Sequence, residues 1–304
     1  MSSVIGIDSR VRIRTNAKLN LFLRVVGTRP DGYHELETIF HGVGLADDIE
    51  LLPTSTGGIE LDMTLDPDLV GDLPTAEENL VSRSIEGLVR SGAINPGIKI
   101  HITKRIPIAA GLGGGSGNAA GALVGLSQLW NMDIDPLALH GIAMSIGSDV
   151  PYCLGGGTAL AMRRGEELTP LPAPATIWFV LGISFRPLLT RDVYAAWDGM
   201  DPVDDAGSAP MTFALGAGDI QEIADLLHND LERAAFSLWP ELAGKKQAML
   251  DAGALGAAVT GSGPTVFSIA RDEAHARAIA GQVKERFDRV IVVSSHPRCV
   301  ERID

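Results

Sequence analysis

The sequence predicts an α+β fold with largely antiparallel sheets. Three observations carry that expectation. Period-two runs and helical-period runs both recur, yet they follow no regular strand–helix–strand beat of the kind that builds a parallel sheet. Some strand-like runs are separated by short Gly- or Pro-containing turns instead of helices. The chain has 304 residues, 45 % of them hydrophobic, which is enough for two domains or one large one around a substantial core.

The first strand is "VRIRTNAKLNLFLRVVG". From Lys18 onward Leu19, Leu21, Leu23 and Val25 share one face, and Lys18, Asn20, Phe22 and Arg24 the other. Pro30, Asp31 and Gly32 then supply turn chemistry. "DDIELLP" and "GGIELDMTL" read as a hairpin around a Gly-rich turn. Leu80, Val81, Ile85, Leu88 and Val89 have helical spacing, with Gly92 where a C-cap belongs. Ile98, Ile100 and Ile102 alternate with Lys99, His101 and Thr103, a strand. A glycine-rich stretch follows, and "NAAGALVGLSQLW" after it reads as a helix. "PLALHGIAMSIG" is another helix, broken by "GSDVPYCLGGGTALAMRRG".

A composition shift at "LTPLPAPA" marks an expected division into residues 1–167 and 168–304, with the last strand free to return to the first part. Beyond it come a buried strand in "TIWFVLGI", a loop at "DAGSAP", and two helices in "AGDIQEIADLLHNDLERAAFSLWPELAGKKQAMLDAG". "GAAVTGSGPTVFSIA" reads strand, turn, strand; "EAHARAIAGQVKERF" is helical; "RVIVVSSH" is the final strand.

Charge excludes whole classes of partner. At a formal net charge of −13 the surface repels nucleic acids and anionic membranes, so neither is an expected partner. No apolar run approaches the roughly 20 residues of a membrane span, and the N-terminus lacks an apolar core behind a basic start. A soluble, cytoplasmic protein is expected. Cys153 and Cys299 show no metal or redox spacing and read as reduced, buried thiols. Oligomeric state is left open.

The stretch "IPIAAGLGGGSGNAAGAL" carries the chemistry. Five glycines fall between Gly111 and Gly117, joining a strand to an apolar helix, which is not where a linker sits. Two readings stay open on residues alone: a packing turn, or a bed of backbone N–H groups for an anion. Converging glycine amides and a helix N-terminus, worth about half a positive charge, favour phosphate. The P-loop and dinucleotide fingerprints are both absent. Gly114 is expected to need φ > 0 and to lie against the phosphates.

The pattern P-x-x-x-G-L-G-G-G-S from Pro107 to Ser116 resembles the phosphate loop of the GHMP kinases, the family of galactokinases, homoserine kinases and mevalonate kinases. "AKLNLFL", "RPDGYHELETIF", "EENLV", "GLGGGSGNAA", "GSDVPYC", "NDLE" and "GSGPTVF" occur in the order of the branch that acts on 4-diphosphocytidyl-2-C-methyl-D-erythritol. The resemblance spans nearly the whole chain. It implies a two-domain α+β GHMP kinase fold with the active site in the inter-domain cleft. It also implies ATP-dependent phosphorylation of that substrate's 2-hydroxyl, in the non-mevalonate route to isoprenoid precursors. A GHMP kinase for homoserine or mevalonate, or a binding module on the same fold, are the alternatives.

By the same resemblance Asp149 is the catalytic carboxylate and Lys18 its partner, and Asn20, on the same strand, is a substrate-binding residue. A carboxylate can accept the proton of an attacking hydroxyl, and a cation can stabilise charge building on its oxygen. ATP is placed along Pro107, Ile108, Ala109, Ala110, Gly111, Leu112, Gly113, Gly114, Gly115, Ser116 and Gly117. Asn79 and Lys104 are placed near its base and ribose. Gly117 stands where relatives usually carry a second serine. Tyr33 and His34 are expected at the cytidine, with Thr190 and Tyr194 across from them. An exposed aromatic beside a His is otherwise as readily surface packing. Mg²⁺ is expected to arrive with the nucleotide, since no carboxylate cluster suggests a dedicated cage. His41, His101, His140, His228, His275 and His296 show no ligand spacing and read as structural.

Overall fold

The computed structural model describes residues 10–30, 32–55, 57–69, 73, 75, 79–90, 97–172, 174, 176–201 and 207–304. The first half runs β1 (Val11–Thr28), β2 (His34–Pro53), β3 (Gly58–Leu65), α1 (Leu80–Arg90), β4 (Gly97–Lys104), α2 (Gly114–Leu129), α3 (Pro136–Ile146), α4 (Val150–Gly155), β5 (Thr158–Arg163) and β6 (Glu167–Pro170). The second runs β7 (Trp178–Ile183), α5 (Thr190–Trp197), α6 (Ala209–Ala217), α7 (Ile220–Asp225), β8 (His228–Asn229), α8 (Leu231–Leu238), α9 (Glu241–Asp251), β9 (Gly256–Val259), β10 (Val266–Ala270), α10 (Glu273–Val283), β11 (Arg289–Ser294) and β12 (Val300–Arg302).

Among the described residues these strands form two sheets. The larger has eight strands along the path β12–β1–β2–β4–β3, with β5 and β6 extending from β2 and β8 beside β1. The smaller, β11–β7–β10–β9, is antiparallel throughout. Apolar side chains explain the stacking. Val81, Ile85 and Leu88 of α1 and Ala119, Leu123 and Leu126 of α2 pack on Ile13, Ile49 and Ile100 of the large sheet. Leu19, Leu21, Phe22 and Ile39 meet Phe179, Leu181, Phe267 and Ile269 of the small one. Its other face, with Val180, Val259 and Val266, receives α8, α9 and α10. Layers of this kind bury both faces of the middle of β1, which explains why it is so apolar.

The α+β expectation holds, and most elements fall where their periodicity places them. Four details differ, each for a physical reason. Asn20 pairs with Phe40 and Phe22 with Ile39, so Leu21 is an extra residue in β1. One extra residue reverses the parity of everything beyond it. Leu23 therefore lines the same cavity as Lys18 and Asn20, while Phe22 packs with Leu19 and Leu21. The expected leucine face does not continue through Leu23.

The expected β2–β3 hairpin does not form. β4 lies between them, antiparallel to β2 and parallel to β3. Ile98, Ile100 and Ile102 are fully buried in the inner position, whereas β3 presents Glu60 and Asp62 at the sheet edge. The expected pair of helices between residues 217 and 253 is three, because the chain dips to pair with β1 at β8. Asn229 Nδ2 donates to the carbonyls of Val259 and Gly261, both at 2.8 Å, and Asp230 Oδ2 accepts the Val25 N–H at 2.8 Å. Finally, "RVIVVSSH" is not the last strand. β11 stays in the small sheet, and β12 returns to β1.

The expected division between residues 167 and 168 falls inside β6, which pairs with β5 in the large sheet. A division that keeps that strand whole lies after Pro170. The Gly92 cap and the first two residues of the "DAGSAP" loop lie outside the described residues, and the loop is shorter than expected because Ala209 and Pro210 already belong to α6, with Pro210 in its first turn. Cys153 and Cys299 are free and buried, and they meet in the core, where a hydrogen bond with Cys299 and then burial push the Cys153 thiol up.

His41 lies in the buried middle of β2, Nδ1 at 2.8 Å from Thr158 Oγ1 and Nε2 at 2.8 Å from Ser295 Oγ. Burial pushes it from 6.5 down to about 4. As pH falls, the unfolded imidazole takes up its proton before the folded one does. Its contribution to stability is therefore complete above the unfolded value and lost through the folded one, about 3 kcal/mol between about pH 7 and pH 4. Urea unfolding across that window should show the loss. His41→Gln should flatten the profile there, and an unchanged slope would remove His41 as its source.

Candidate active site

β1 delivers Lys18 and Asn20 to a cavity whose wall also includes Gly111, Gly113, Asp149, Thr190 and Tyr194. Lys18 Nζ lies 3.4 Å from Asp149 Oδ2 and donates to Asn20 Oδ1 at 2.8 Å. Asn20 Nδ2 donates to Thr38 Oγ1 at 2.9 Å, and the Asn20 N–H to Thr260 Oγ1 at 3.1 Å. Both ends of the Asn20 amide are thus engaged inside the protein, and Asn20 orients the Lys18 ammonium. Phe40 covers that ammonium at 5.2 Å from its ring centroid. Asp149 immediately precedes α4, with Pro151 in that helix's first turn, and its side chain makes no cap hydrogen bond. It stays available to the cavity.

The glycine loop sits directly above. The Leu112 carbonyl accepts the Lys18 N–H at 3.0 Å, tying the loop to β1. Gly111 and Gly113 have φ of 75° and 72°, the left-handed region that glycine alone enters without strain. A Cβ at Gly113 would come within 2.8 Å of Lys18 Cγ, so the lysine passes where that side chain would be. Gly114 departs from expectation. It does not take positive φ, and its missing Cβ would meet Ile106 Cγ2 at 2.8 Å, not an open ligand space. Gly113 caps α2 with no side-chain hydrogen bond, leaving the first-turn amides to other acceptors.

The loop borders a second cavity through Pro107, Ile108 and Gly115, together with Asn79, Lys104 and Asn118. The remaining loop residues line neither cavity. Ala110 and Leu112 are buried in the core, Ala109 takes φ 53°, Ser116 is half-buried in the first turn of α2, and Gly117 faces Thr15. A hydroxyl missing at 117 is therefore no loss to either wall. Asn79 Oδ1 accepts the Val81 N–H at 2.9 Å, capping α1. Lys104 pairs with Asp47 and donates to Asn118 Oδ1 at 2.8 Å. Fully buried Asp47 also accepts from the N–H groups of Arg105 and Ile106 at 2.7 and 2.9 Å, anchoring the start of the loop.

A third cavity opens beside the first and shares Asp149, Thr190 and Tyr194 with it. Tyr33 and His34 lie on its wall. His34 stacks on Tyr194 with ring centroids 4.5 Å apart, and its Nε2 is 2.8 Å from Asp198 Oδ1. Tyr33 is 53 % exposed, and the Arg164 guanidinium lies 3.7 Å from its ring centroid. One ring face of each tyrosine is thus occupied by a protein neighbour. Burial, and secondarily the Asp149 charge, raises the Tyr194 hydroxyl above its ordinary range. Thr190 Oγ1 lies 3.0 Å from Ser262 Oγ, linking α5 to the turn before β10.

Asp47, Arg164, Asp198 and Thr260 went unmarked in the sequence. Thr260 adjoins the "GSGPTVF" motif, which signals its turn; Asp47 in an Asp-Asp pair, Arg164 in an Arg-Arg pair and Asp198 after Trp197 carry no motif of their own.

The chain matches the model of the GHMP kinases N terminal domain over residues 79–157 and that of the GHMP kinases C terminal over residues 213–289. It is 42 % identical to 4-diphosphocytidyl-2-C-methyl-D-erythritol kinase of Pelotomaculum thermopropionicum, over 93 % of this chain and 97 % of that one. It is 40 % identical to the enzyme of the same name from Gloeobacter violaceus, over 88 % of each chain. A crystal structure of 4-(cytidine 5'-diphospho)-2C-methyl-D-erythritol kinase superimposes with a TM-score of 0.78 at 33 % identity, covering 93 % of this chain and 98 % of that one. A lysine and a carboxylate meeting under a glycine loop, on a fold and sequence matched nearly end to end, place this chain in the GHMP kinase family, among the 4-diphosphocytidyl-2-C-methyl-D-erythritol kinases.

Proposed function

We propose that this chain transfers the γ-phosphoryl group of ATP to the 2-hydroxyl of 4-diphosphocytidyl-2-C-methyl-D-erythritol. It is a small-molecule kinase, and ATP is its donor, as its family membership entails. The observation that carries the assignment of roles is the 3.4 Å approach of Lys18 to Asp149 in a cavity bounded by the glycine loop and α5. Asp149 takes the proton of the acceptor hydroxyl. The hydroxyl oxygen bonds to the γ-phosphorus, and the bond from that phosphorus to the bridging oxygen of ADP breaks. Lys18 stabilises the charge that moves between them, and Asn20 holds it on target.

ATP would lie across the loop. Its adenosine fits the cavity lined by Asn79, Lys104 and Pro107, and its phosphates the amides after Gly113. Mg²⁺ fits as an ion carried on those phosphates, where it would offset their charge. The Asp149 carboxylate, 32 % exposed, shares the wall of the first cavity with Gly111 and Gly113 and is the side chain that would reach such an ion. The cytidine fits the cavity of Tyr33, His34 and Tyr194, with Asp198 fixing the imidazole that reads the base edge. No helix among the described residues is long and apolar enough to cross a membrane. We place the reaction in the cytoplasm, where buried free thiols stay reduced.

Asp149→Asn should lower kcat by about 10²–10⁴-fold with much smaller changes in either KM. Lys18→Met should do likewise, and near-normal turnover in either variant would remove that residue from the mechanism. Gly113→Ala should cost about 1–2 kcal/mol in backbone strain and push Lys18 off its path. Its expected signature is a lower kcat and a higher KM for ATP in a folded protein; unchanged kinetics would dissociate the loop from catalysis. Stacking a base on an aromatic ring contributes about 1–3 kcal/mol, so Tyr33→Ala and Tyr194→Ala should each raise KM for the cytidine substrate by about 5- to 150-fold. KM for ATP should stay put, and Phe at either position should recover most of the loss. Equal losses for both substrates would instead report a general folding defect.

A further inference from the structure

Arg164 differs from the other cations of the cleft. It occupies the turn between β5 and β6, where Arg163 takes φ 64° and Gly165 φ 104°. The Arg164 N–H donates to Glu166 Oε2 at 2.8 Å, which pins the turn. Arg163 pairs with Glu167 at 2.8 Å, whereas among the described residues the Arg164 guanidinium forms no ion pair and lies flat on Tyr33. It borders both the cavity of Lys18 and Asp149 and the cavity of Tyr33, His34 and Tyr194. Arg191, another cation on the second wall, already faces Asp192 at 3.3 Å.

The substrate has a nucleobase at one end, an acceptor alcohol at the other and a diphosphate between. With the base beside Tyr33 and the alcohol beside Asp149, the diphosphate must span the boundary between the two cavities. Asp149 and Asp198 line those walls, and the whole chain carries a formal charge of −13. An anionic linker would be repelled there without a local cation. Resting on the reading above, we propose that Arg164 binds the diphosphate of the substrate, donating two N–H groups from its planar fork while its face stays stacked on Tyr33. One side chain then grips the diphosphate and steadies the ring that holds the base. That coupling distinguishes a nucleoside-diphosphate alcohol from a free alcohol.

The test compares wild type, Arg164→Gln and Arg164→Lys, measuring KM for the diphosphocytidyl substrate and for ATP and inhibition by cytidine and by CDP. Arg164→Gln should raise the substrate KM and the CDP inhibition constant by about 10- to 100-fold, while cytidine inhibition shifts by less than about 3-fold. Arg164→Lys should fall between, keeping the charge without the fork. Unchanged ATP KM and melting temperature report an intact fold. Equal losses for cytidine and CDP would overturn the proposal, because the residue would then serve the base alone. Turnover by wild type with unchanged CDP inhibition in Arg164→Gln would overturn it while leaving the functional reading intact. Absence of turnover by wild type would overturn that reading and this proposal together.

Discussion

Burying the ammonium of Lys18 is the constraint around which the rest of the cleft is arranged. Its side chain is 5 % exposed, and an ammonium taken out of water costs several kcal/mol unless partners replace the lost hydration. Those partners come from four separate parts of the chain. Asn20 supplies an oxygen from the same strand, Asp149 a carboxylate from the start of α4, and Phe40 a ring face from β2. The glycine loop supplies room, because Gly113 has no side chain where the lysine methylenes run. Moving any one of them leaves a buried charge short of a partner. The fold that places them correctly has a definite electrostatic reason to stay there.

Asn20 shows how the two halves of the molecule meet at that point. Its amide is held by Thr38 of β2 and its backbone by Thr260, which follows β9 in the small sheet. Thr260 Oγ1 also lies 3.4 Å from the Gly111 carbonyl. A single threonine thus touches the strand that carries the lysine and the loop that borders the cavity of Asn79 and Lys104. Asp47 plays the corresponding part on the far side of the loop, where one carboxylate gathers Lys104, Asn118 and two backbone amides. The loop has few side chains of its own, so its shape is imposed by groups at its two ends.

The parts legible in the sequence share a property: their meaning is local. Lys18 and Asn20 sit two apart on a strand, ahead of the bulge, so alternation places both in one cavity. The glycine loop is recognisable because five glycines at a helix start have few other uses. What could not be read depends on contacts distant in sequence. Nothing in "LNLFL" announces that Leu21 is unpaired, and that one residue decides where Phe22 and Leu23 point. The parallel pairing of β3 with β4 depends on competition for an inner place in the sheet, which no single strand encodes. Asp198 and Arg164 acquire a role only through His34 and Tyr33, which lie more than a hundred residues away. Gly114 misled for a related reason: within a glycine run, only the fold decides which members need the left-handed region.

The return of the chain to β1 has a consequence for how the molecule comes apart. β1 is flanked by β12 from the extreme C-terminus, touched by β8 from the middle of the second half, and hydrogen-bonded to Asp230 beyond it. A protease nick in the connection around residues 170–176 would therefore not release two separate pieces. The C-terminal fragment would keep β8 and β12 paired with β1 of the N-terminal fragment, and the nicked protein should migrate as one particle until denatured. The two halves are complementing fragments and not beads on a string. The parts of the cleft wall that do not belong to that shared strand include α5 and the tight turn between β5 and β6, which contribute Thr190, Tyr194 and Arg164.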